Sequence, residues 1–521
     1  MTASQPNILL IMADQLMPFL TGAYGHPVVK TPNLDRLVRE GVRFDAAYSS
    51  CPLCAPARAS LMTGRHVSAI RSYDNASGFD SEEPTIAHYL AAAGYDTVAS
   101  GKMHYIGPDQ LHGLHRRLTT DVYPEDYDWV SDRDPHDRPS YSFARAYTSE
   151  GVRANKWSHY LSYDEETHFR AKEYIRARGI AKQAASKRNE KPQPFFLIAS
   201  YHHPHDPFWP PKEFWDLYAD EHIDIPDFPE NLTESYSAMD HWINHYHGCD
   251  NFSLLKDPKS LRCLRRAYYA LVSYVDHKVG ELLQTLEESG LDDNTFILFC
   301  SDHGDMLGEK GMVQKRNFYE WSSRIPFILR LPDRHHAGTV VEQPTSLVDV
   351  LPTILEIANV QKDLPADGHS VMPLIEGWDT AERHVFSEYH SNGVYCTCFM
   401  VRRGDFKYIH IQGHQDQLFD LKNDPDEWKN LIGQPGSADI EKELKALILE
   451  AFDPAVIEKE VLLTIRKRQL LRRWGEATGV QWAYSPGFDP EKNASAQYLP
   501  AGNKNSVPSG AVGLWENESE L

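Results

Sequence analysis

The chain has 521 residues, 41% of them hydrophobic, so it is long enough to bury one or two substantial cores. This length excludes a peptide hormone, a disulfide-stabilised miniprotein and a disordered tail. The 53 basic and 74 acidic residues give a net charge of −21, which repels phosphate backbones and argues against general nucleic-acid binding. A chain this acidic that handles an anion has to do so in a local cationic pocket.

The first apolar run and the cysteines indicate the cellular compartment of the protein. Residues 8–13 are apolar but end at Asp14 with no Lys or Arg before them. This run fits neither a signal peptide nor a membrane span, which needs roughly 18 apolar residues. The seven cysteines show no zinc-ribbon spacing, and free thiols fit a reducing compartment. We therefore expect a cytoplasmic globular protein with no membrane or nucleic-acid partner and, by its size, an enzyme.

Short apolar runs, typical of buried parallel strands, alternate with segments of helical periodicity. The predicted strands lie at 7–14, 95–101, 195–200 and 295–300, and the predicted helices at 31–41, 85–94 and 264–289. Residues 105–170 and 206–262 show little periodicity, and such irregular insertions either build a binding site or decorate the surface. The alternation favours an α/β fold with a mostly parallel central sheet.

The sequence pattern changes near residue 383. Candidate strands at 385–389, 394–402, 407–411 and 417–421 precede helical stretches near 438–452 and 454–474. We therefore expect a main domain over 1–382, a smaller C-terminal α+β subdomain over 383–475, and a tail over 476–521. The tail is rich in Gly, Asn, Ser and Pro, which is typical of a disordered segment or of an arm that docks elsewhere.

Three side chains that can bind metal stand at the ends of predicted strands: Asp14, Asp302 and His303. Because the carboxyl ends of strands in an open parallel sheet face the ligand crevice, these side chains can converge on a hard divalent cation. Asp and His are also common in turns at strand ends, where they bind no metal. The residues alone leave both interpretations open.

The strongest local pattern is Cys-x-Pro-x-Arg, followed by two apolar residues and Thr-Gly. It lies in Cys54-Ala-Pro-Ala-Arg58-Ala-Ser-Leu-Met-Thr-Gly64. It resembles the signature of type I sulfatases, in which the cysteine is oxidised after synthesis to formylglycine. The residue between Pro and Arg is usually Ser in that family and is Ala57 here. A buried structural thiol is the alternative interpretation of Cys54.

Other segments resemble sulfatase motifs, in the same order and over nearly the whole chain. They are Asp14-Gln15, Gly101-Lys102-Met103-His104, His203-Pro-His205-Asp-Pro207, Ser301-Asp302-His303-Gly304, Lys315, Arg324-Ile-Pro-Phe-Ile-Leu, Asp349-Val-Leu-Pro-Thr353 and Leu418-Phe-Asp-Leu-x-x-Asp-Pro-x-Glu427. Each motif alone is weak evidence for the family, but the motifs together are specific for it. The chain is identified as a member of the sulfatase branch of the alkaline-phosphatase-like superfamily. The resemblance implies an alkaline-phosphatase-like core, its sheet sandwiched by helices, with 1–382 as the catalytic domain.

The catalytic residues that the resemblance implies are Cys54, Arg58, Lys102, His104, His205 and Lys315. In the implied reaction, one hydroxyl of the formylglycine hydrate attacks sulfur, and the other expels sulfate from a sulfated hemiacetal by re-forming the aldehyde. His104 takes the proton in that collapse, and either His205 or Lys315 protonates the leaving oxygen. Physical chemistry supports this set, because the peripheral oxygens of a sulfate ester need cationic donors such as Arg58 and Lys102.

The implied metal ligands are Asp14, Gln15, residue Cys54 as formylglycine, Asp302 and His303. An amide and an imidazole among the ligands reduce their total charge, so we expect Ca²⁺, with Mn²⁺ as the alternative. The metal would lower the pKa of the attacking hydroxyl. The resemblance also implies a formylglycine-generating maturation enzyme as a partner and a homo-oligomer, either a dimer or a tetramer.

Within the family, the sequence is most similar to choline sulfatases. The resemblance runs through residues 100–104, 107–113, 118–124, 203–207 and 301–309 and the helix after Phe452-Asp453. It implies substrate-binding roles for Asn75, Trp129 and Glu388, because a quaternary ammonium needs aromatic faces and a carboxylate, and for His203 at the sulfate. Packing is the alternative for Trp129 and His203. The tail after Tyr498 departs from that branch, which allows another alcohol or another assembly.

We therefore expect a sulfuric ester hydrolase that cleaves a small alkyl sulfate, with choline O-sulfate as the first substrate. A phosphonate monoester or phosphodiester hydrolase, or a sulfatase for another small ester, is the alternative. Sulfate esters and phosphate diesters are alike in shape and charge, and related enzymes use the same nucleophile. A third hypothesis is a non-catalytic metal- or sulfate-binding protein in which Cys54 is never matured.

Overall fold

The computed structural model describes residues 5–131, 133, 146–227, 229, 231–249, 257–379, 381–483 and 497–500. The strands are β1 Asn7–Asp14, β2 Val42–Phe44, β3 Ala47–Tyr48, β4 Asp96–Gly101, β5 Arg116–Arg117, β6 Phe195–Pro204, β7 Thr295–Ser301, β8 Met306–Leu307, β9 Val313–Gln314, β10 Phe327–Arg330, β11 Thr339–Val341, β12 Thr345–Ser346, β13 His384–Tyr389, β14 Cys398–Arg403, β15 Phe406–Ile411, β16 Gln417–Asp420, β17 Val480–Ala483 and β18 Gln497–Pro500. The helices are α1 Pro32–Glu40, α2 Cys54–Thr63, α3 Ile86–Ala92, α4 His159–Lys187, α5 Lys212–Trp215, α6 Ala238–His247, α7 Pro258–Glu288, α8 Glu320–Ser323, α9 Val350–Ile357, α10 Met372–Ile375, α11 Ala438–Ala451 and α12 Pro454–Thr478.

An eight-stranded sheet in the order β11-β2-β10-β7-β1-β6-β4-β5 forms the centre of the molecule. Its neighbours pair in parallel except at β10, which is antiparallel to both β7 and β2. Alternate residues of β1 enter two cores, Leu9 and Ile11 on one face and Ile8 and Leu10 on the other. Helices α1, α4 and α7 cover the first face, and α2, α3 and α9 cover the second. The predicted α/β fold with a mostly parallel sheet is confirmed.

Helix α4 is not predicted by the apolar pattern and begins inside the stretch 105–170 that was expected to be irregular. Its buried face carries the polar residues Asp164, Thr167 and His168 beside apolar ones, so hydrophobic periodicity does not reveal it. Helix α6 and the start of α7 likewise lie within 206–262. Both stretches therefore contain regular helices. Helices α4 and α7 pack against the central sheet, and α6 packs in a core that it shares with the C-terminal meander.

The C-terminal part contains a four-stranded antiparallel meander, β13-β14-β15-β16, with α11 and α12 packed on it. The buried Lys407 of β15 joins this unit to the main domain. Its Nζ lies 2.7 Å from Glu320 Oε1 and 2.8 Å from Glu427 Oε1. Two carboxylates thus hold one buried ammonium group, and removal of the Lys407 amine would leave both buried carboxylates without it.

Only part of the predicted tail 476–521 is described. Helix α12 ends at Thr478, and β17 pairs with β18 in antiparallel register. Residues 484–496 and 501–521 lie outside the described residues, as do 134–145 of the first insertion. Among the helices that the structure describes, none has the length and apolar composition needed to cross a membrane.

Candidate active site

Four neighbouring strands, β7, β1, β6 and β4, end beside one another at one edge of the sheet. The close approach of β4 to β6 requires Gly101, whose φ is +101° and where a Cβ would lie 1.9 Å from the Ser200 carbonyl oxygen. The backbone N–H of Lys102 donates to the same oxygen at 3.0 Å. This contact fixes where Lys102 leaves the sheet, beside the ends of β1 and β7.

Cys54 is the first residue of α2, and every residue of that helix is buried. The Sγ of Cys54 lies 3.2 Å from His303 Nε2 and 3.9 Å from Asp14 Oδ1. Burial raises the pKa of the Cys54 thiol, but the charges of Lys102 and Lys315 lower it well below its usual value overall. A lowered thiol pKa at a helix N-terminus beside cationic side chains is typical of reactive cysteines.

Asp14, Cys54, Asp302 and His303 form a candidate metal site, and we call these four residues with Arg58 and Lys102 the Cys54 cluster. One ligand atom from each of the four lies within 4.8 Å of the others. The Nδ1 of His303 lies 2.9 Å from the Gly304 carbonyl oxygen, which leaves Nε2 facing the site. The two carboxylates suit a hard divalent ion, and the sulfur of Cys54 stands where the family resemblance puts a formylglycine oxygen.

The Gln15 side chain is held at both ends. Its Nε2 donates to Tyr147 Oη at 2.8 Å, and Tyr147 Oη donates to an Asp305 carboxylate oxygen at 3.0 Å. Its Oε1 accepts a hydrogen bond from Lys315 Nζ. Because only the amide nitrogen can donate to Tyr147, the amide oxygen has to face the opposite way, toward Lys315. The Gln15 amide oxygen therefore faces Lys315 at the strand end that also carries Asp14.

Arg58 connects the two carboxylates of the cluster. Its Nε donates to Asp302 Oδ2 at 2.8 Å and its Nη2 to Asp14 Oδ2 at 3.0 Å, while Nη1 donates to Ser200 Oγ at 2.8 Å. Lys102 Nζ pairs with the same Asp14 carboxylate. Burial raises the pKa of Asp14, but Lys102 and Arg58 lower it well below its usual range overall. Asp14 therefore stays ionised, as a metal ligand must.

Lys315 and His205 are in direct contact, with Lys315 Nζ 2.8 Å from His205 Nε2. The other ring nitrogen, Nδ1, lies 2.7 Å from the Asp206 carbonyl oxygen. An ammonium group only donates, so Nε2 accepts, and the carbonyl contact puts the ring proton on Nδ1. The contact thus places the two candidate proton donors to the leaving oxygen, Lys315 and His205, side by side.

His104 is buried and adopts a left-handed backbone conformation with φ of 57°. The Asp121 carboxylate holds this turn by accepting from the backbone N–H of Met103 at 3.1 Å and of His104 at 2.8 Å. Arg117 in turn pairs with Asp121 at 2.7 Å. Burial and the charge of Lys102 lower the pKa of His104 overall, so the ring is a neutral proton acceptor.

Tyr123 and Trp129 place two aromatic rings next to His104. The Trp129 ring lies 5.0 Å from the Tyr123 ring and 5.9 Å from the His104 ring, between centroids. Lys102 Nζ lies 4.2 Å from the Tyr123 ring centroid, and Tyr123 Oη lies 3.0 Å from His202 Nε2. Trp129 is 38% exposed, so it stands where solvent reaches these rings.

Asn75 and Glu388 occupy different surroundings. Asn75 Oδ1 accepts from the backbone N–H of Ala55 at 3.0 Å, directly after Cys54. Glu388 is fully buried, and its carboxylate lies 3.0 Å from His390 Nε2 and accepts from the Ser68 N–H at 3.3 Å. Burial raises the pKa of Glu388, but His390 lowers it below its usual value overall. Glu388 therefore carries a negative charge inside the protein.

His203 makes contacts that fit the packing alternative. Its Nδ1 lies 2.7 Å from Asp164 Oδ2, and its ring meets that of Tyr274 with centroids 5.6 Å apart. The preceding residue, His202, contacts Tyr123 instead, since successive residues of a strand face opposite sides. The motif resemblance assigns no role to His202 or to Tyr123, although Tyr123 lies in the resembling segment 118–124. Alternation along β6 is the sequence signal that distinguishes the two histidines.

Comparisons with known sequences show the family of the chain. The sequence model of the Sulfatase family matches residues 6–360, and a model described as N-sulphoglucosamine sulphohydrolase, C-terminal, matches residues 308–453. The chain is 37% identical over 516 residues to a choline-sulfatase of Rhizobium meliloti, covering 96% of both chains. It is 30% identical over 453 residues to an arylsulfatase of Clostridium perfringens, covering 82% of this chain and 90% of that one.

The fold is also that of solved relatives. The structure of a phosphonate monoester hydrolase of Agrobacterium radiobacter is similar with a TM-score of 0.66 and 26% identity, over 85% of this chain and 95% of that one. The mostly parallel sheet between helices, with a smaller C-terminal unit, is therefore the alkaline-phosphatase-like fold. The chain belongs to the sulfatase family and is an enzyme that hydrolyses sulfate esters.

Proposed function

We propose that this sulfatase hydrolyses choline O-sulfate to choline and sulfate, with a formylglycine made from Cys54 as its nucleophile. The observation that carries the proposal is the aromatic pair of Tyr123 and Trp129 beside His104, at the solvent-accessible side of the Cys54 cluster. A quaternary ammonium cannot donate hydrogen bonds and is recognised by aromatic faces. The 37% identity to a choline-sulfatase over 96% of both chains supports the same substrate.

The cations around Cys54 suit the sulfate half of this substrate. Arg58, Lys102 and Lys315 are buried, at 2%, 0% and 2% exposure, so their charges act on a bound anion with little screening by water. They form a local cationic pocket in a chain of net charge −21. Lys315, or His205 in contact with it, protonates the leaving oxygen, and His104 accepts a proton from the nucleophile.

The metal ligands in this proposal are Asp14, Gln15, Asp302, His303 and the formylglycine oxygen at residue 54. The close approach of four donor atoms, all within 4.8 Å, supports an ion at this place. We propose Ca²⁺, with Mn²⁺ as the alternative, because the carboxylate and amide oxygens are hard ligands. When bound, such an ion neutralises developing negative charge and lowers the pKa of a coordinated hydroxyl.

The choline end is assigned to Asn75, Trp129 and Glu388, which we call the leaving-group site. Trp129 supplies an aromatic face, and the ionised Glu388 supplies the negative charge that attracts a cation lacking hydrogen-bond donors. Asn75 stands beside the nucleophile because it caps the amide of Ala55. In this proposal these residues determine which ester is bound, and the Cys54 cluster carries out its hydrolysis.

The second candidate is a phosphonate monoester hydrolase, which the structural similarity to such an enzyme favours. The test is kcat/KM of matured enzyme for choline O-sulfate, an aryl sulfate and a phosphonate monoester, on wild type and Glu388→Gln. We expect choline O-sulfate to be preferred and Glu388→Gln to cost at least about 30-fold for that ester alone. The control is Glu382→Gln, which changes an exposed glutamate paired with Arg403.

Comparable activity on all three esters, unaffected by Glu388→Gln, would remove choline from the proposal. A phosphonate monoester preferred over both sulfates would support the second candidate instead. Mass spectrometry of the Cys54 peptide tests the nucleophile, because replacing the thiol by an aldehyde lowers the peptide mass.

A further inference from the structure

Helix α12 contacts the chain segments that carry the residues of the leaving-group site. This helix lies far from these residues in sequence, and its buried face consists of Pro454, Ile457, Val461, Ile465 and Arg468. An arginine among apolar side chains is costly to bury unless a carboxylate meets it. The partners of its charged residues therefore show what the helix holds in place.

Arg468 holds the turn that carries Asn75. Both of its Nη atoms donate to the Asp74 carboxylate, one of them at 3.0 Å, and the two side chains are 6% and 0% exposed. Asp74 also accepts from the backbone N–H of Ala76 at 3.0 Å, so its carboxylate shapes the turn around Asn75. Asn75 then caps the amide of Ala55, next to the nucleophile.

Glu458 holds two further segments. Its Oε1 accepts from Arg133 Nη1 at 2.7 Å, close in sequence to Trp129. Its Oε2 accepts from the backbone N–H of Thr397 at 3.0 Å, at the start of the strand that pairs with the one carrying Glu388. Arg133 Nε also donates to the Val394 carbonyl oxygen at 3.3 Å, which joins these two segments to each other.

One apolar core lies beneath these polar contacts. The neighbours of the three leaving-group residues and the buried face of α12 belong to a single cluster, which includes Tyr73, Ala76, Val130, Phe386, Phe399, Ile457, Val461 and Ile465. Close-packed interiors transmit displacement instead of absorbing it. A shift of α12 would therefore reach all three segments together, while the Cys54 cluster rests on the central sheet.

We propose that Arg468 and Glu458 are positioning residues for the leaving-group site, and that α12 determines selectivity for the cationic alcohol without touching the substrate. This inference rests on the proposed function, because it needs Asn75, Trp129 and Glu388 to bind choline. It predicts that the choline end and the sulfate end of the pocket respond differently to changes in α12.

The experiment uses the matured full-length enzyme with Glu458→Gln, Arg468→Met and Arg468→Lys. Arg466→Met is the matched control for Arg468→Met, since Arg466 is exposed on the same helix. Glu382→Gln is the control for Glu458→Gln, since Glu382 is an exposed glutamate that pairs with an arginine, Arg403. Choline and inorganic sulfate are each measured as inhibitors of aryl sulfate hydrolysis, together with KM and kcat for choline O-sulfate. Thermal melting reports folding, and Glu458→Gln, which keeps size and shape, remains informative if Arg468→Met does not fold.

We expect Glu458→Gln and Arg468→Met to raise the inhibition constant of choline and the KM for choline O-sulfate about 10-fold, since a small misplacement of binding groups costs on this scale. The inhibition constant of sulfate should stay within about 2-fold, Arg468→Lys should recover part of the loss, and the controls should match wild type. Equal weakening of choline and sulfate, or no change in a folded variant, overturns the positioning role while the proposed function stands. If choline does not inhibit the wild type, the proposed function fails, and this inference fails with it.

Discussion

The Cys54 cluster and the leaving-group site are built in different ways. Residues of the cluster stand at strand ends of the central sheet or on α2 and are at most 2% exposed. The leaving-group site draws Asn75 and Trp129 from segments without regular structure, and only Glu388 from a strand of the C-terminal meander. Trp129 is 38% exposed, whereas Glu388 is fully buried.

This difference in secondary structure and exposure means that the two sites depend on different parts of the molecule. The cluster needs only the sheet and one helix, which are rigid elements shared with relatives of different activities. The leaving-group site depends on segments packed against α12, and such segments vary more readily than the elements they connect. Changes in the cluster should therefore abolish hydrolysis of every ester, whereas changes in the leaving-group site should alter only the preference among esters.

The largest effect is expected from Cys54→Ala. Without the nucleophile, kcat/KM should fall by about 10⁴-fold or more for choline O-sulfate and aryl sulfate alike, because the remaining groups only bind and orient. The matched control is Cys51→Ala, which removes a second buried thiol three residues earlier. Substantial activity in Cys54→Ala, or an equal loss in Cys51→Ala, would show that the cluster does not act through residue 54.

The residues of the cluster could be predicted from the sequence because each lies in a short motif. Asp14, Lys102, Asp302 and His303 follow apolar runs, whereas Cys54 and Arg58 lie in the Cys-x-Pro-x-Arg pattern. The contacts that hold the side chains around the cluster and the leaving-group site could not be predicted, since these contacts join distant parts of the chain. Tyr147 meets Gln15 across 132 residues, and Arg468 meets Asp74 across 394 residues. Helix α4, whose Asp164 contacts His203, could not be predicted from hydrophobic periodicity because its buried face carries polar residues. Local pattern predicts the reactive groups, and tertiary packing decides their orientation.

Removal of metal ions should have the next largest effect. Treatment with a chelator should lower kcat/KM at least about 10²-fold for all esters, because the ion stabilises charge at the sulfate end. Metal content measured by mass spectrometry, followed by restoration with Ca²⁺ or Mn²⁺, identifies the ion. Asp302→Asn should lower the bound metal as well. A protein free of metal with full activity would contradict the ligand assignment, and with it the view that the cluster is shared machinery.

A smaller effect is expected from Tyr147→Phe, which leaves the cluster intact but removes the hydroxyl that orients Gln15. Losing such an outer partner typically costs about 10- to 100-fold in metal affinity, which chelator competition measures. The control is Tyr174→Phe, because Tyr174 Oη also donates to a carboxylate, that of Asp96, at 2.9 Å and at the beginning of β4. Unchanged metal affinity in Tyr147→Phe would mean that Gln15 needs no such support.

The smallest and most selective effect is expected from Trp129→Ala. A cation above an aromatic ring contributes about 1 kcal/mol of binding free energy at a partly exposed position. The KM for choline O-sulfate should therefore rise about 5- to 10-fold, while kcat changes little. The KM for an aryl sulfate should not rise in the same way, since its aryl group carries no positive charge that could interact with the Trp129 ring. Trp157→Ala is the control, because Trp157 is 54% exposed and its indole N–H donates to the nearby Ser162 hydroxyl at 2.7 Å. If Trp129→Ala lowered kcat equally for both esters, Trp129 would act through His104, 5.9 Å away, and would belong with the cluster instead of the leaving-group site.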